Sequence, residues 1–216
     1  MTRRLLLLLA LTVAVGSSVA YAASLNVSSW HLWAGSQTLT KATCTVTGAL
    51  VDTYVDQNNP AASFGAAATL GLIPSGNAGK QQWTFVKFDL SSCAIPATGG
   101  ADSATLSLYL SNAPTTSFNY DLTRVTSTWA GTLTWNQAQA LTYAGSPTTS
   151  IAGGTAVGLR TFTVTTDVDS FLKGGSNFGW RVSDTGSGQN LAKDTAQFAS
   201  ADSGTNLPTL MINYEN

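Results

Sequence analysis

Glutamate and histidine are almost missing from this chain: Glu215 is the only glutamate and His31 the only histidine. General acid–base chemistry near neutral pH draws heavily on those two side chains. An active site would therefore have to be assembled from aspartate, tyrosine, lysine or arginine. Most of the aspartates stand where a turn or strand end uses one. Asp89 and Asp102 flank the Cys93 loop, Asp167 is placed to cap a short helix, and Asp184 and Asp202 adjoin glycine-rich stretches. There is no G-x-S-x-G motif and no usable Ser-His-Asp set. These shortages point away from an enzyme. Charge is also scarce, with charged residues at 10% and no basic block, which argues against a nucleic-acid partner.

Long apolar runs are absent too, apart from one near the start. Residues 1–22 read as a secretory signal peptide: Arg3 and Arg4 precede the apolar stretch Leu5 to Val15, and Ala20-Tyr21-Ala22 gives a small-x-small cleavage pattern. That stretch is shorter than the roughly 20 residues a bilayer requires, and no second one follows. The expected product is a secreted protein, extracellular or associated with the cell surface, with no membrane span in the mature chain. Without Arg3 and Arg4, eight basic residues face eleven acidic ones, a formal charge of −3. Only two cysteines occur, Cys44 and Cys93. In an exported chain they are expected to form one disulfide. Closing a loop of this length stabilises by about 4 kcal/mol in the chain-entropy picture.

What the chain does have is alternation. Residues 23–48 are a Ser/Thr-rich arm containing Trp30, His31 and Trp33, which either lies along the body of the protein or presents an aromatic contact. From residue 49 to 216 a period of two dominates. In 103–111, Ala104, Leu106, Leu108 and Leu110 share one face, and Ser103, Thr105, Ser107, Tyr109 and Ser111 the other. Stretch 82–90 carries Thr84, Val86, Phe88 and Leu90 on one face and Trp83, Phe85, Lys87 and Asp89 on the other, so both faces should be covered for part of its length. Further strands are expected at 49–55, 68–73, 118–125, 160–166, 178–184, 195–200 and 209–214, with Phe162, Val164, Phe178, Trp180, Val182, Leu210, Ile212 and Tyr214 inward. Glycine pairs and Asn59-Pro60 punctuate them. Only 167–173 has a helical pattern, ended by Gly174. About nine short strands and one short helix predict an all-β fold, an antiparallel two-sheet sandwich of jelly-roll type.

Two clusters are candidates for binding. Trp129 and Trp135 flank a small turn beside Asn136, with Arg124 close in sequence, and Tyr109 falls on the outward face of its strand. Aromatic faces with adaptable polar neighbours suit sugar rings. The competing reading makes the two tryptophans staples that hold a long loop onto the sandwich. No cofactor is expected, the one candidate being a structural Ca²⁺, for which Asp52, Asp56 and Asn58 supply hard oxygen donors. Aspartate and asparagine before Pro60 also make a turn's own backbone bonds, which is the weightier reading.

Several stretches in order resemble DNRLRE domains, which are also grouped as a carbohydrate-binding module family. They are Val51-Asp52-Thr53-Tyr54-Val55-Asp56 with Asn59-Pro60 and Phe64-Gly65; Val86-Lys87-Phe88-Asp89-Leu90; Ser103-Ala104-Thr105-Leu106; Val125-Thr126-Ser127-Thr128-Trp129 with Thr134-Trp135-Asn136; Asn177-Phe178-Gly179-Trp180-Arg181; and Phe198-Ala199-Ser200 with Pro208-Thr209-Leu210. The resemblance implies a secreted jelly-roll module, non-catalytic, with a polysaccharide or cell-wall glycan as partner. The alternative is a structural or adhesive surface protein that binds another protein or itself, with a polysaccharide-cleaving enzyme a distant third. The chain departs from the pattern at Ala130-Gly131-Thr132, at Ala138 and at Ala201-Asp202, where relatives carry an acidic residue, a proline and Arg-Glu.

Overall fold

A computed structural model describes residues 40–76, 80–96, 99–186 and 194–215. The signal peptide and most of the arm, including Trp30, His31 and Trp33, lie outside the described residues. Among those described, eleven strands form two antiparallel sheets. They are β1 (Lys41–Thr47), β2 (Val51–Asp56), β3 (Thr69–Leu72), β4 (Gln82–Lys87), β5 (Ala101–Asn112), β6 (Asn119–Arg124), β7 (Thr149–Ala152), β8 (Gly158–Thr163), β9 (Trp180–Asp184), β10 (Ala196–Ala199) and β11 (Thr209–Glu215). The helices are α1 (Trp135–Ala138) and α2 (Thr165–Leu172), and a 3₁₀ turn spans Ala201–Ser203.

Sheet A is organised around β5. Its residues 105–110 pair with β8 on one edge; on the other edge β11 takes residues 101–107, and β10 continues at Leu110 and Asn112. β1 extends the sheet beyond β11, and β3 extends it beyond β10. Sheet B has the order β2-β4-β9-β6-β7. The alternation in β5 is realised as expected: Ala104, Leu106, Leu108 and Leu110 are all buried, packed with Phe162, Trp180, Val182, Leu210 and Ile212 from both sheets. Two faces of period-two hydrophobics close on one another, as a sandwich requires.

The sandwich begins earlier than the sequence pattern indicates. Lys41–Thr47, assigned above to the arm, is a full strand paired along its length with β11, from Lys41 opposite Glu215 to Thr47 opposite Thr209. Cys44 on β1 is bonded to Cys93 in the β4–β5 connection, with Cα atoms 5.6 Å apart. The bridge ties the first strand of sheet A to a loop leaving sheet B.

Two other differences have local causes. Phe178 does not continue the inward face of β9, because Gly179 adopts φ +70° and turns the chain over before Trp180. A Cβ at Gly179 would stand 2.2 Å from the Val86 carbonyl oxygen, so only glycine permits this approach. Asp167 does not cap α2: the N-cap is Val164, which makes no side-chain cap bond, and the helix starts two residues earlier than expected.

A second apolar cluster lies on the outer face of sheet B. Residues 125–143 cross over that face and bury Val125, Trp129, Leu133, Trp135 and Ala138 against Val55 and Phe85. β4 is thus covered on both sides, as its sequence suggests. Helix α1 in this segment opens with a reciprocal capping box between Thr134 and Gln137.

Candidate functional site

The covering segment decides the fate of the predicted aromatic edge. Trp129 is 7% exposed and Trp135 8%. The Trp129 ring sits 5.6 Å from Phe85, and its Nε1–H donates to the Phe178 carbonyl at 2.6 Å. Trp135 packs against Trp83 with ring centres 4.6 Å apart and the planes tilted by 36°. Neither indole leaves a broad face for a sugar ring, so both act as staples. Asn136 is exposed on α1, and its backbone N–H is tied to the Pro60 carbonyl. Tyr109 is half-buried on the outer face of sheet A opposite Leu159. The five predicted contacts are therefore not brought together.

Arg124 is the one that reaches a concave site. It ends β6 and faces a groove of about 630 Å³ where β7, an edge of sheet B, approaches the end of β8 and the first turns of α2. The remaining lining is mostly hydroxyl: Ser146, Thr148, Thr163, Thr165, Thr166 and Ser170. Asp167 is the only carboxylate among the lining residues. Its Oδ2 accepts hydrogen bonds from Trp180 Nε1 at 2.8 Å and from Thr148 Oγ1 at 2.6 Å. Its Oδ1 lies 3.7 Å from Arg124 Nη1, which also points at Ser170 Oγ at 3.5 Å. Trp180 is fully buried, so Asp167 satisfies an indole N–H that has no access to water. The guanidinium rests 6.0 Å from the centre of the Phe171 ring.

The consequence is a fixed cation with donors to spare. Among the described residues, Arg124 has hydrogen-bond or ion-pair partners only at Nη1, leaving its Nη2 and Nε donors for a ligand. Arrayed hydroxyls beside a positioned guanidinium can take a polyhydroxylated molecule through hydrogen bonds. The groove falls within the size range of ligand sites. A single carboxylate does not provide the acid and base pair that glycosidic cleavage uses.

Elsewhere, Arg181 lies between Trp83 at 4.6 Å and Tyr143 at 4.3 Å, on the border of the covering segment. Burial lowers the pKa of Arg181 and raises that of Tyr143, each partly offset by the other. This stack ties segment 125–143 to β9. No feature of the single sequence pairs Arg181 with Tyr143, or Asp167 with Trp180.

The predicted cation ligands also separate. Asp52 Oδ2 accepts the Ala201 N–H at 2.7 Å, and burial together with nearby Asp202 lifts its pKa to about 6. Asp56 accepts from Asn58 N at 2.8 Å and Asn59 Nδ2 at 2.9 Å, which is a turn's internal bonding. Four residues along a strand span about 13 Å, too far for Asp52 and Asp56 to share one ion. Among the described residues no group of three or more His, Cys, Asp or Glu side chains is placed to hold a metal. No described helix is long and apolar enough to cross a membrane.

No curated protein matches the chain. The family model described as Carbohydrate-binding module family 96 matches residues 43–214, from within β1 to within β11, which is most of the chain and nearly all of the sandwich. Two antiparallel sheets, a hydroxyl-lined groove on their flank and this match lead to one assignment: the chain belongs to carbohydrate-binding module family 96.

Proposed function

We propose that the protein is a secreted, non-catalytic module that holds a polysaccharide or cell-wall glycan, with the Arg124 groove as its binding site. The observation that carries the reading is Arg124 itself. It is oriented by Asp167, Ser170 and the Phe171 ring, and its Nη2 and Nε donors, which have no partner among the described residues, lie beside a row of threonine and serine hydroxyls. Family membership supports carbohydrate as the ligand class. The disulfide and the signal-like start support an extracellular setting.

The test is retention of the purified mature protein on insoluble polysaccharides and cell-wall preparations, followed by calorimetry with soluble fragments of whichever retains it. Losing a charge-assisted hydrogen bond is worth about 1.5–3 kcal/mol, so Arg124→Ala should weaken binding about tenfold or more. Its fold should remain, because a partly exposed ion pair contributes only about 0.2–1 kcal/mol. Undiminished retention of the folded variant would remove the groove from the proposal.

One observation favours the adhesive alternative. Leu159 and Val157 are 64% and 59% exposed near Tyr109 at the β7–β8 end of sheet A. If that patch drives self-association, light scattering will show an oligomer that Leu159→Ser dissociates and sugars leave unchanged.

A further inference from the structure

Sheet A ends on one flank in a strand whose outer edge is bare. β8 pairs with β5 alone, in an unbroken register from Gly158 opposite Leu110 to Thr163 opposite Thr105. The next residue pair in that register is bonded, since Val164 N–H donates to the Ala104 carbonyl at 2.9 Å. Bonded and non-bonded pairs alternate along an antiparallel ladder, so Phe162, Arg160 and Gly158 turn their backbone groups toward β5. Leu159, Thr161 and Thr163 turn theirs away. Among the described residues, the N–H groups of those three donate to nothing.

Sheet edges are commonly blunted by shortness, charge, proline or a bulge. The other edges here carry such devices: β3 and β7 are four residues long, β1 opens with Lys41, and β2 contains Asp52 and Asp56. β8 has six residues, no proline and no shift of register. Its one charge is withdrawn, because the Arg160 guanidinium donates to the carbonyls of Gly153, Ala156, Gly158 and Leu159. Exposed Leu159 on the strand and Val157 just before it add apolar surface to that bare edge.

We propose that β8 pairs with β8 of a second copy of this chain, antiparallel about a twofold axis at Thr161, joining two A sheets into one. The proposal rests on the self-association reading above and assigns it a strand, a register and a symmetry. A neutral edge that alternates free donors and acceptors is matched in charge and in hydrogen-bond pattern by itself. In the twofold register Thr161 meets Thr161, Leu159 meets Thr163 and Arg160 meets Phe162, so no like charges stand opposite one another. About six backbone hydrogen bonds close across the axis. An isologous contact of this kind stops at two copies and does not grow into a filament. One strand edge with two apolar side chains from each copy buries less than about 1,200 Å² in total, which makes the dimer weak and concentration-dependent. It stands whether or not the Arg124 groove binds glycan.

The experiment follows the full mature chain by analytical ultracentrifugation from about 1 μM to 1 mM. Wild type should pass from monomer to dimer within that range. Thr161→Pro deletes one outward donor from each copy and leaves the β8–β5 bonds in place, a substitution that edge strands accept. It should weaken association at least about tenfold and keep Tm within about 4 °C of wild type. Thr161→Cys should cross-link to its twin on mild oxidation, because the paired Cα atoms would stand about 5.5 Å apart, whereas Thr205→Cys in an exposed turn should not. Should Thr161→Pro fail to fold, the two cysteine variants carry the test. A dimer that Leu159→Ser dissociates but Thr161→Pro leaves intact, or one in which Thr161→Cys does not cross-link, would overturn pairing through β8 and leave self-association standing. A monomer at every concentration would overturn both, and β8 would then be an edge open only to a foreign strand.

Discussion

Replacing Trp129 by alanine separates its packing role from a binding role. The indole is buried between segment 125–143 and Phe85, with Lys87 Nζ 5.6 Å from its ring. Deleting a buried aromatic side chain costs about 3–5 kcal/mol. For a domain of this size each kcal/mol moves Tm by about 2–4 °C, so Trp129→Ala should lower Tm by about 6–20 °C. Trp129→Phe keeps most of the apolar contact and loses the Nε1 bond to Phe178, a change of about 1 kcal/mol plus a small packing defect. Differential scanning calorimetry gives the stability effect. Retention on polysaccharide, measured well below each variant's Tm, gives the binding effect and should stay at the wild-type level. A Tm unchanged within about 2 °C together with lost retention would refute the placement of Trp129 in a packed layer and return it to the ligand.

Reducing the Cys44–Cys93 bridge, or changing both cysteines to serine, should lower stability by up to about 4 kcal/mol and Tm by about 8–16 °C, checked by calorimetry with and without reductant. Gly179→Ala should destabilise by about 2–4 kcal/mol, read from urea midpoints, because it forces a side chain into positive φ and against the Val86 carbonyl. Stability should also depend on pH in an uncommon direction. Folded Asp52 holds its proton up to about 6, whereas the unfolded chain releases it near 3.8. Between those values the folded state binds more protons, so this contribution is full below about pH 4 and is lost as pH rises through about 6. The loss is on the order of 1–2 kcal/mol after screening, and urea midpoints in EDTA should show it flattened in Asp52→Asn.

The sheets were legible in the chain because burial on a pleated strand repeats every two residues, and Leu106, Leu108, Phe162, Val182 and Ile212 carry that period without interruption. β1 does not stand out in the sequence although Ala42, Cys44 and Val46 also alternate, because its exposed positions match the Ser/Thr composition of the arm before it. In β7 the order Thr149-Ser150-Ile151-Ala152 puts two polar residues before two apolar ones, so no alternation registers. α1 did have a local signal, the Thr134 and Gln137 capping box, which a search for helix starts would find.

Composition and alternation by themselves determined an all-β, disulfide-linked body poor in proton-transfer groups, since those properties depend on residue type and on neighbours one or two positions away. Tertiary structure alone decided which surfaces stay open. A strand's period names two faces but not what lies over the outer one, and here residues 125–143 fold back and consume the most conspicuous aromatics. It likewise decided that Arg124 meets Asp167 across 43 positions of sequence, and that Asp167 meets Trp180. Such meetings come from the order in which strands are laid beside one another, and no short-range pattern in the chain encodes that order.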